Sequence, residues 1–122
     1  MTIQDIIARV DELAPNRLSA EQKIRWLSAL DGRVFHELFL THEGCCAFYP
    51  PEGYDTDDWE LLIPPPYDED VYGSYLQARI AQQNNEIGKY NQFSALFNRA
   101  YGEFAAWFGR SHLPIPRGRW RL

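Results

Sequence analysis

The chain has 122 residues, a length that fits one domain and leaves no room for a second catalytic domain or a doubly wound dinucleotide-binding fold. Hydrophobic residues make up 45% and aromatic residues 15%, which supports a buried core and argues against a disordered chain. The formal net charge of −5 argues against a protein that binds nucleic acid mainly through its phosphates.

The sequence shows neither a membrane segment nor a disulfide framework. No stretch approaches the ~18 uninterrupted apolar residues of a membrane-spanning helix, and the first residues lack the basic and apolar regions of a signal peptide. Cys45 and Cys46 are adjacent, and adjacent cysteines rarely pair because the ring they would close is strained. We therefore expect no disulfide and an intracellular protein.

Two helices are predicted in the first third of the chain. The first covers residues 3–13, with Thr2 as its N-cap, and Pro15 disfavours helix at the residue before it. The second covers residues 20–40 and begins after a capping-box pattern of Ser19 and Gln22. Gly32 lies inside it and indicates either the close approach of another backbone or a locally weak helix.

Residues 41–66 form a predicted irregular acidic loop, because glycines and prolines interrupt any helix there. Leu61–Ile63 is its one strand-like run, for which Phe48 and Tyr49 are candidate partners in a small hairpin or edge strand. A loop of this length in a compact domain is usually functional or partly mobile.

Helices return at residues 67–83 and 86–109. Acidic residues at 68–70 favour the positive end of the first helix dipole. The second helix has the strongest apolar periodicity in the chain, which predicts burial over about half its girth. The predicted fold is a mainly α single domain of residues 1–113 with about four helices, followed by a basic tail at 114–122.

The charge distribution is the most unusual feature of the sequence. No lysine or arginine occurs between Arg33 and Arg79, where carboxylates are frequent, and no acid follows Glu103. One interpretation is a solvated loop and a frayed tail; the other is head-to-tail association of complementary surfaces. The candidate interaction residues are Asp55, Asp57, Asp58, Arg110, Arg117, Arg119, Trp120 and Arg121.

Patterns that carry chemistry are weak or missing. The aspartates at 55–58 do not have the spacing of a calcium loop, and His36, His42, Cys45 and Cys46 do not have the spacing of a structural zinc site. No phosphate-binding, nucleophile-elbow or zinc-protease motif occurs. We therefore predict no catalytic residue, no metal site and no cofactor.

Three blocks of the sequence carry a resemblance to a known family. The middle block joins a hydrophobic run, P-x-P-Y-D-E, a helix ending near Asn85-Glu86 and a second helix with Y-N-x-x-x-x-x-F-N. The blocks resemble small prophage proteins of Gram-positive bacteria, which are similar to the head–tail connector (adaptor) family of long-tailed bacteriophages. The blocks are IQDIIARVDELAPNRLSAEQKIRWLSALDGRVFHEL, DWELLIPPPYDEDVYGSYLQARIAQQNNEIGKYNQFSALFNRAYGEFAAWF and RSHLP.

The resemblance implies a non-enzymatic structural protein of the virion. Such subunits are mostly helical and form a ring between the portal of the DNA-filled head and the tail, after assembly in the host cytoplasm. The expected partners are the portal protein, tail-completion proteins and further copies of the chain, and DNA passes through the ring without specific binding. The segment around Cys45 and Cys46 and the basic tail are outside the matched pattern.

Other functions remain open on the residues alone. The main alternative is a small phage-encoded regulatory module that binds a host or phage protein. A second is nucleic-acid binding through the tail, where Trp120 among arginines is able to stack on bases. An enzyme with a polar pocket near the acidic loop is the third.

Overall fold

The computed structural model describes residues 1–42 and 49–112. Within these ranges four α-helices follow one another: α1 (Ile3–Leu13), α2 (Ala20–Val34), α3 (Asp68–Gln83) and α4 (Ile87–Ser111). A short π-helix, Phe35–Phe39, extends α2. The protein is mainly helical, as predicted. Predicted features that lie outside the described residues are Phe48, Cys45, Cys46, Arg117, Arg119, Trp120 and Arg121.

Side-chain caps fix the beginnings of the first two helices. Thr2 and Asp5 form a reciprocal capping box, in which each side chain accepts a hydrogen bond from the other residue's N–H. The Ser19 hydroxyl accepts a hydrogen bond of 3.2 Å from the Gln22 N–H. Both predicted helix starts are confirmed, because a cap satisfies N–H groups that have no partner inside the helix.

The predicted helix over residues 20–40 is wrong in its last turn. The α-helix ends at Val34, and the π-helix that follows is closed by a 2.9 Å hydrogen bond from the Leu40 N–H to the Phe35 carbonyl. The wider turn changes which way the following side chains face. Here Phe39 stacks on Phe108 of α4, with ring centroids 5.0 Å apart.

The glycine inside α2 has an identifiable neighbour. A Cβ placed on Gly32 would lie 3.2 Å from the Tyr49 hydroxyl oxygen, so an approaching group does occupy the space beside it. That group is a side chain, whereas the sequence indicated either an approaching backbone or a locally weak helix. Gly32 therefore allows the aromatic ring of the irregular segment to lie close against α2.

No hairpin forms around Leu61–Ile63 in the described residues. The neighbouring Glu60 instead forms an isolated antiparallel bridge with Thr2. The first N–H groups of α1 have no intrahelical acceptors, and carbonyls of the irregular segment supply them. Ile3 donates to the Trp59 carbonyl over 3.1 Å and Gln4 to the Asp57 carbonyl over 3.0 Å. Among the described residues, this segment thus caps α1, whereas Phe48 of the predicted pairing lies outside them.

The hydrophobic core lies where α1, α2 and α3 meet the C-terminal part of α4. The irregular segment closes it with Tyr54, Leu61 and Ile63. Every helix contributes at least two fully or nearly fully buried apolar side chains. The principal ones are Ile3, Ile6, Val10, Leu27, Leu30, Val34, Val71, Tyr72, Leu76, Phe104 and Phe108.

The prediction that α4 is buried over half its girth is wrong. Its buried residues are Phe104 and Phe108, both in its C-terminal half. The N-terminal half packs mainly against α3, where Phe97 lies 5.3 Å from the Tyr75 ring. Ile87 and Leu96 are 74% and 45% exposed. The apolar periodicity is present, but Phe39 of the π-helix and Tyr67 pack only against the C-terminal half of α4, at Phe108 and Phe104.

The helix boundaries otherwise agree closely with the sequence patterns. α3 begins at Asp68, with three acidic residues in its first turn, and α4 extends two residues beyond its predicted end. None of the helices in the described ranges is long and apolar enough to cross a membrane.

We predict that Gly53→Ala destabilises the fold. Gly53 has a φ of +83°, and an added Cβ would lie 2.7 Å from the Ser28 hydroxyl oxygen. The free energy of unfolding should fall by roughly 1–3 kcal/mol, measured by urea denaturation.

The matched control is Gly102→Ala, at an exposed site in α4 where an added Cβ meets no neighbouring atom. This variant should be neutral or more stable by up to ~1 kcal/mol, because alanine favours helix. Equal effects of the two substitutions would show that neither the backbone angle nor the contact with Ser28 matters.

Candidate functional site

A buried carboxylate on α2 organises the irregular segment. Asp31 is fully buried and accepts hydrogen bonds from the hydroxyls of Tyr54, over 2.6 Å, and Tyr72, over 2.5 Å. It also accepts one from the Leu62 N–H over 3.0 Å. The Tyr72 hydroxyl in turn accepts from the Ile63 N–H over 3.0 Å. Asp31 therefore joins α2, α3 and two points of the irregular segment.

One turn earlier on α2, Ser28 makes a second attachment. Its hydroxyl accepts a 2.9 Å hydrogen bond from the Tyr54 N–H. The Tyr49 hydroxyl donates to the Ser28 carbonyl over 2.8 Å and lies equally close to the Ser28 hydroxyl. We call Asp31, Ser28, Tyr49, Tyr54 and Tyr72 the anchor network.

Sequence reasoning did not single out the anchor network. The signal available in the sequence was Asp31 itself, a carboxylate next to Leu30 in an otherwise apolar stripe of α2. A charged residue there is costly unless donors converge on it. Its partners are unpredictable from local pattern, because Tyr72 is 41 positions away.

Three of the predicted interaction residues, Asp55, Asp57 and Asp58, follow Tyr54 of the anchor network along the chain. Asp55 and Asp58 are exposed and Asp57 is half-buried. The Trp59 indole N–H donates to the Asp55 carboxylate over 2.8 Å, and this hydrogen bond lowers the pKa of Asp55. The Asp57 backbone carbonyl caps α1. We call Asp55, Asp57 and Asp58 the acidic edge.

The acidic edge carries negative charge that no cation of the described residues balances. No lysine or arginine in the described residues forms an ion pair with any of its three side chains. The edge is therefore a source of unbalanced negative potential on the described surface.

Arg110 is the one predicted basic residue within the described part of the chain. It is exposed in the last turn of α4 and makes no ion pair with a described carboxylate. α3 and α4 are antiparallel, and Tyr67 before α3 lies 5.4 Å from Trp107 near the end of α4. Arg110 and the acidic first turn of α3 therefore lie at the same end of the helix pair.

The side chains of His36 and His42 contact residues that are close to them in the structure. His42 Nδ1 lies 2.8 Å from the Leu38 carbonyl oxygen, and its ring packs edge-on against Phe108. His36 packs edge-on against Phe35. Within residues 1–42 and 49–112, no three His, Cys, Asp or Glu side chains are placed to share a metal ion. Cys45 and Cys46 lie outside these ranges.

No family model, no curated protein and no solved structure matches this chain.

We predict that the stabilising effect of Asp31 depends on pH. Burial raises the pKa of Asp31 in the folded protein, against the opposing effect of its three hydrogen-bond donors. Between the ordinary aspartate pKa of about 3.9 and the raised value, the folded state binds more protons than the unfolded state. Its stability therefore decreases as pH rises through this window.

Asp31→Asn removes this titration and serves as the reference. The unfolding free energy of the native protein minus that of the variant should decrease from about pH 4 upward, by about 1.4 kcal/mol per unit of raised pKa. Urea denaturation between about pH 4 and pH 8 measures it. A difference that stays constant or grows with pH would contradict the prediction.

Proposed function

We propose that this protein is a non-enzymatic structural subunit of phage assembly. Its copies form a ring that connects the portal of the DNA-filled head to the tail. The resemblance of its sequence blocks to connector proteins supplies the class of function. The observation that supports it in the structure is the acidic edge, a set of carboxylates that form no ion pair with any described residue and are held in place by the anchor network.

The acidic edge suits a surface that passing DNA must not bind. Backbone and side-chain hydrogen bonds fix its segment to α1 and α2, so the charges keep their position. Like charges repel the DNA phosphates, and the repulsion acts without recognising sequence. In the proposed ring these aspartates line part of the channel.

The basic residues suit the contacts between subunits and with the portal. A closed ring needs a heterologous interface, in which one surface of each subunit meets a different surface of the next. Arg110 is exposed at the end of α4, and the sequence continues into Arg117, Arg119, Trp120 and Arg121. Arginine and tryptophan are the residues that most often dominate binding energy at interfaces.

We predict that the purified protein binds the portal protein of the same phage genome. Pull-down followed by electron microscopy should show a ring stacked on the portal. Deletion of residues 114–122 should abolish this stacking while the circular dichroism and thermal unfolding of the protein stay unchanged, because the buried core of the described residues lies within residues 3–108.

An intact ring after the deletion would remove the tail from the interface. A monomeric protein that leaves the portal bare would contradict the connector function and favour the regulatory module. Salt-sensitive DNA binding by the full chain, lost on deletion, would favour the nucleic-acid alternative.

We predict that neutralising the acidic edge slows the movement of DNA. The triple variant Asp55→Asn, Asp57→Asn, Asp58→Asn keeps the size of each side chain and an oxygen for the Trp59 hydrogen bond. In phages assembled with this variant, the rate of DNA ejection should fall roughly twofold or more. A twofold change corresponds to a few tenths of a kcal/mol in the interaction between the DNA and the channel.

The control is the triple variant Glu12→Gln, Glu21→Gln, Glu37→Gln, which removes three exposed negative charges elsewhere on the surface. Its ejection kinetics should match those of the native phage. Unchanged ejection by the acidic-edge variant would exclude a channel role for these aspartates.

A further inference from the structure

A small pocket lies between the C-terminal half of α3 and the N-terminal half of α4. Its lining residues recur at helical spacing on one face of each helix, from Tyr75 to Gln82 on α3 and from Tyr90 to Asn98 on α4. The pocket has a volume of about 250 Å³, just below the ~300–1,000 Å³ of pockets that hold drug-sized ligands. It therefore suits a smaller ligand, with about one ring.

Arg79 is held in place by two neighbours that also line the pocket. Its Cζ lies 5.4 Å from the centroid of the Tyr75 ring, which is a cation–π contact, and its Nε donates to the Tyr75 hydroxyl over 3.4 Å. Its Nη1 donates to Gln82 Oε1 over 3.1 Å. A guanidinium has five N–H donors, and no described residue accepts from the rest of them. The guanidinium is therefore positioned by the protein and still has donors for a ligand.

No carboxylate in the described part of the chain balances the charge of Arg79. It forms no ion pair there, and the described lining of the pocket contains no aspartate or glutamate. Other helical cations pair with a carboxylate three or four residues away, as Arg99 does with Glu103 over 3.4 Å. The corresponding positions around Arg79 hold only uncharged residues, among them Gln82. The described lining is thus positive in a chain whose formal net charge is −5.

Uncharged hydrogen-bonding groups surround the guanidinium. The Gln82 oxygen accepts from Arg79, so its NH₂ group remains available as a donor. The Ser94 hydroxyl and the Asn98 amide line the opposite wall and form no side-chain hydrogen bond with a described residue. The pocket therefore offers an anion one fixed positive charge together with several neutral donors.

We propose that this pocket binds a small carboxylate carried on a flat ring. The guanidinium fork matches the two oxygens of a carboxylate, whose single negative charge Arg79 alone balances, whereas a phosphate group carries up to two charges. The aromatic rings of Tyr75, Tyr90 and Phe97 line the same pocket, and those of Tyr75 and Phe97 lie 5.3 Å apart. They offer the ligand's ring the offset or edge-on contacts that aromatic groups favour. This inference does not depend on the proposed function.

Titration of the ¹⁵N-labelled full-length chain with sodium benzoate, followed by NMR, tests the proposal. Benzoate should produce saturable shifts of the amide signals of residues 75–82 and 90–98 and of the Arg79 Nε–H signal. Two further probes separate the parts of the ligand: benzylamine has the same ring with a positive charge, and acetate has the carboxylate without a ring. Each should bind at least about tenfold more weakly than benzoate.

A pair of glutamine variants shows whether Arg79 holds the carboxylate. Gln82→Glu places a carboxylate beside Arg79 with almost no change in size, so it competes with the ligand and should weaken benzoate binding about tenfold. Gln92→Glu makes the same change at an exposed position of α4 outside the pocket and should leave the affinity unchanged. Arg79→Met removes the guanidinium and should abolish saturable binding. The NMR spectrum of each variant without ligand shows that it folds.

The other outcomes overturn the proposal. Shifts that do not saturate, or that centre outside residues 75–98, would mean that the pocket does not bind benzoate. Equal affinities of the Gln82→Glu and Gln92→Glu variants would remove Arg79 as the partner of the carboxylate. Binding of benzylamine as tight as that of benzoate would exclude an anion site, and equally tight binding of acetate would exclude a role for the aromatic wall.

Discussion

The structure depends on one hydrogen-bonded carboxylate in its core. Burying a charged group is expensive, and none of the described residues places a cation beside Asp31; three donors from distant parts of the chain converge on it instead. This convergence fixes the segment that begins at Tyr49. Carbonyls of the same segment then cap α1, so the position of the first helix follows from a side chain of the second.

Local chemistry made the helices predictable. Thr2 and Ser19 cap helices where the sequence indicated, and Asp68 begins α3 next to a proline cluster. These signals act over three or four residues, so a single sequence contains them in full. The end of α2 was missed; the π-helix there places Phe39 against Phe108, and a contact between residues so far apart in the chain leaves no local signal.

The candidate site was predictable only in its composition. The surplus of acids before Arg79 and of arginines after Glu103 can be read directly from the sequence. The attachment of the acidic edge to α2 and α1 cannot, because it requires contacts over more than twenty positions. The periodicity of α4 likewise shows which side chains share a face, but not which of them stay exposed, as Leu96 does.

The end of α4 has a mechanical consequence. The His112 ring lies flat on Phe108, with centroids 4.1 Å apart, and Phe108 lies flat on Phe39. Phe108 and Phe39 belong to the core, so the helix terminus is fastened at its last turn rather than left to fray. A pulling force applied to the residues after His112 would therefore load this aromatic stack and the body of the domain together.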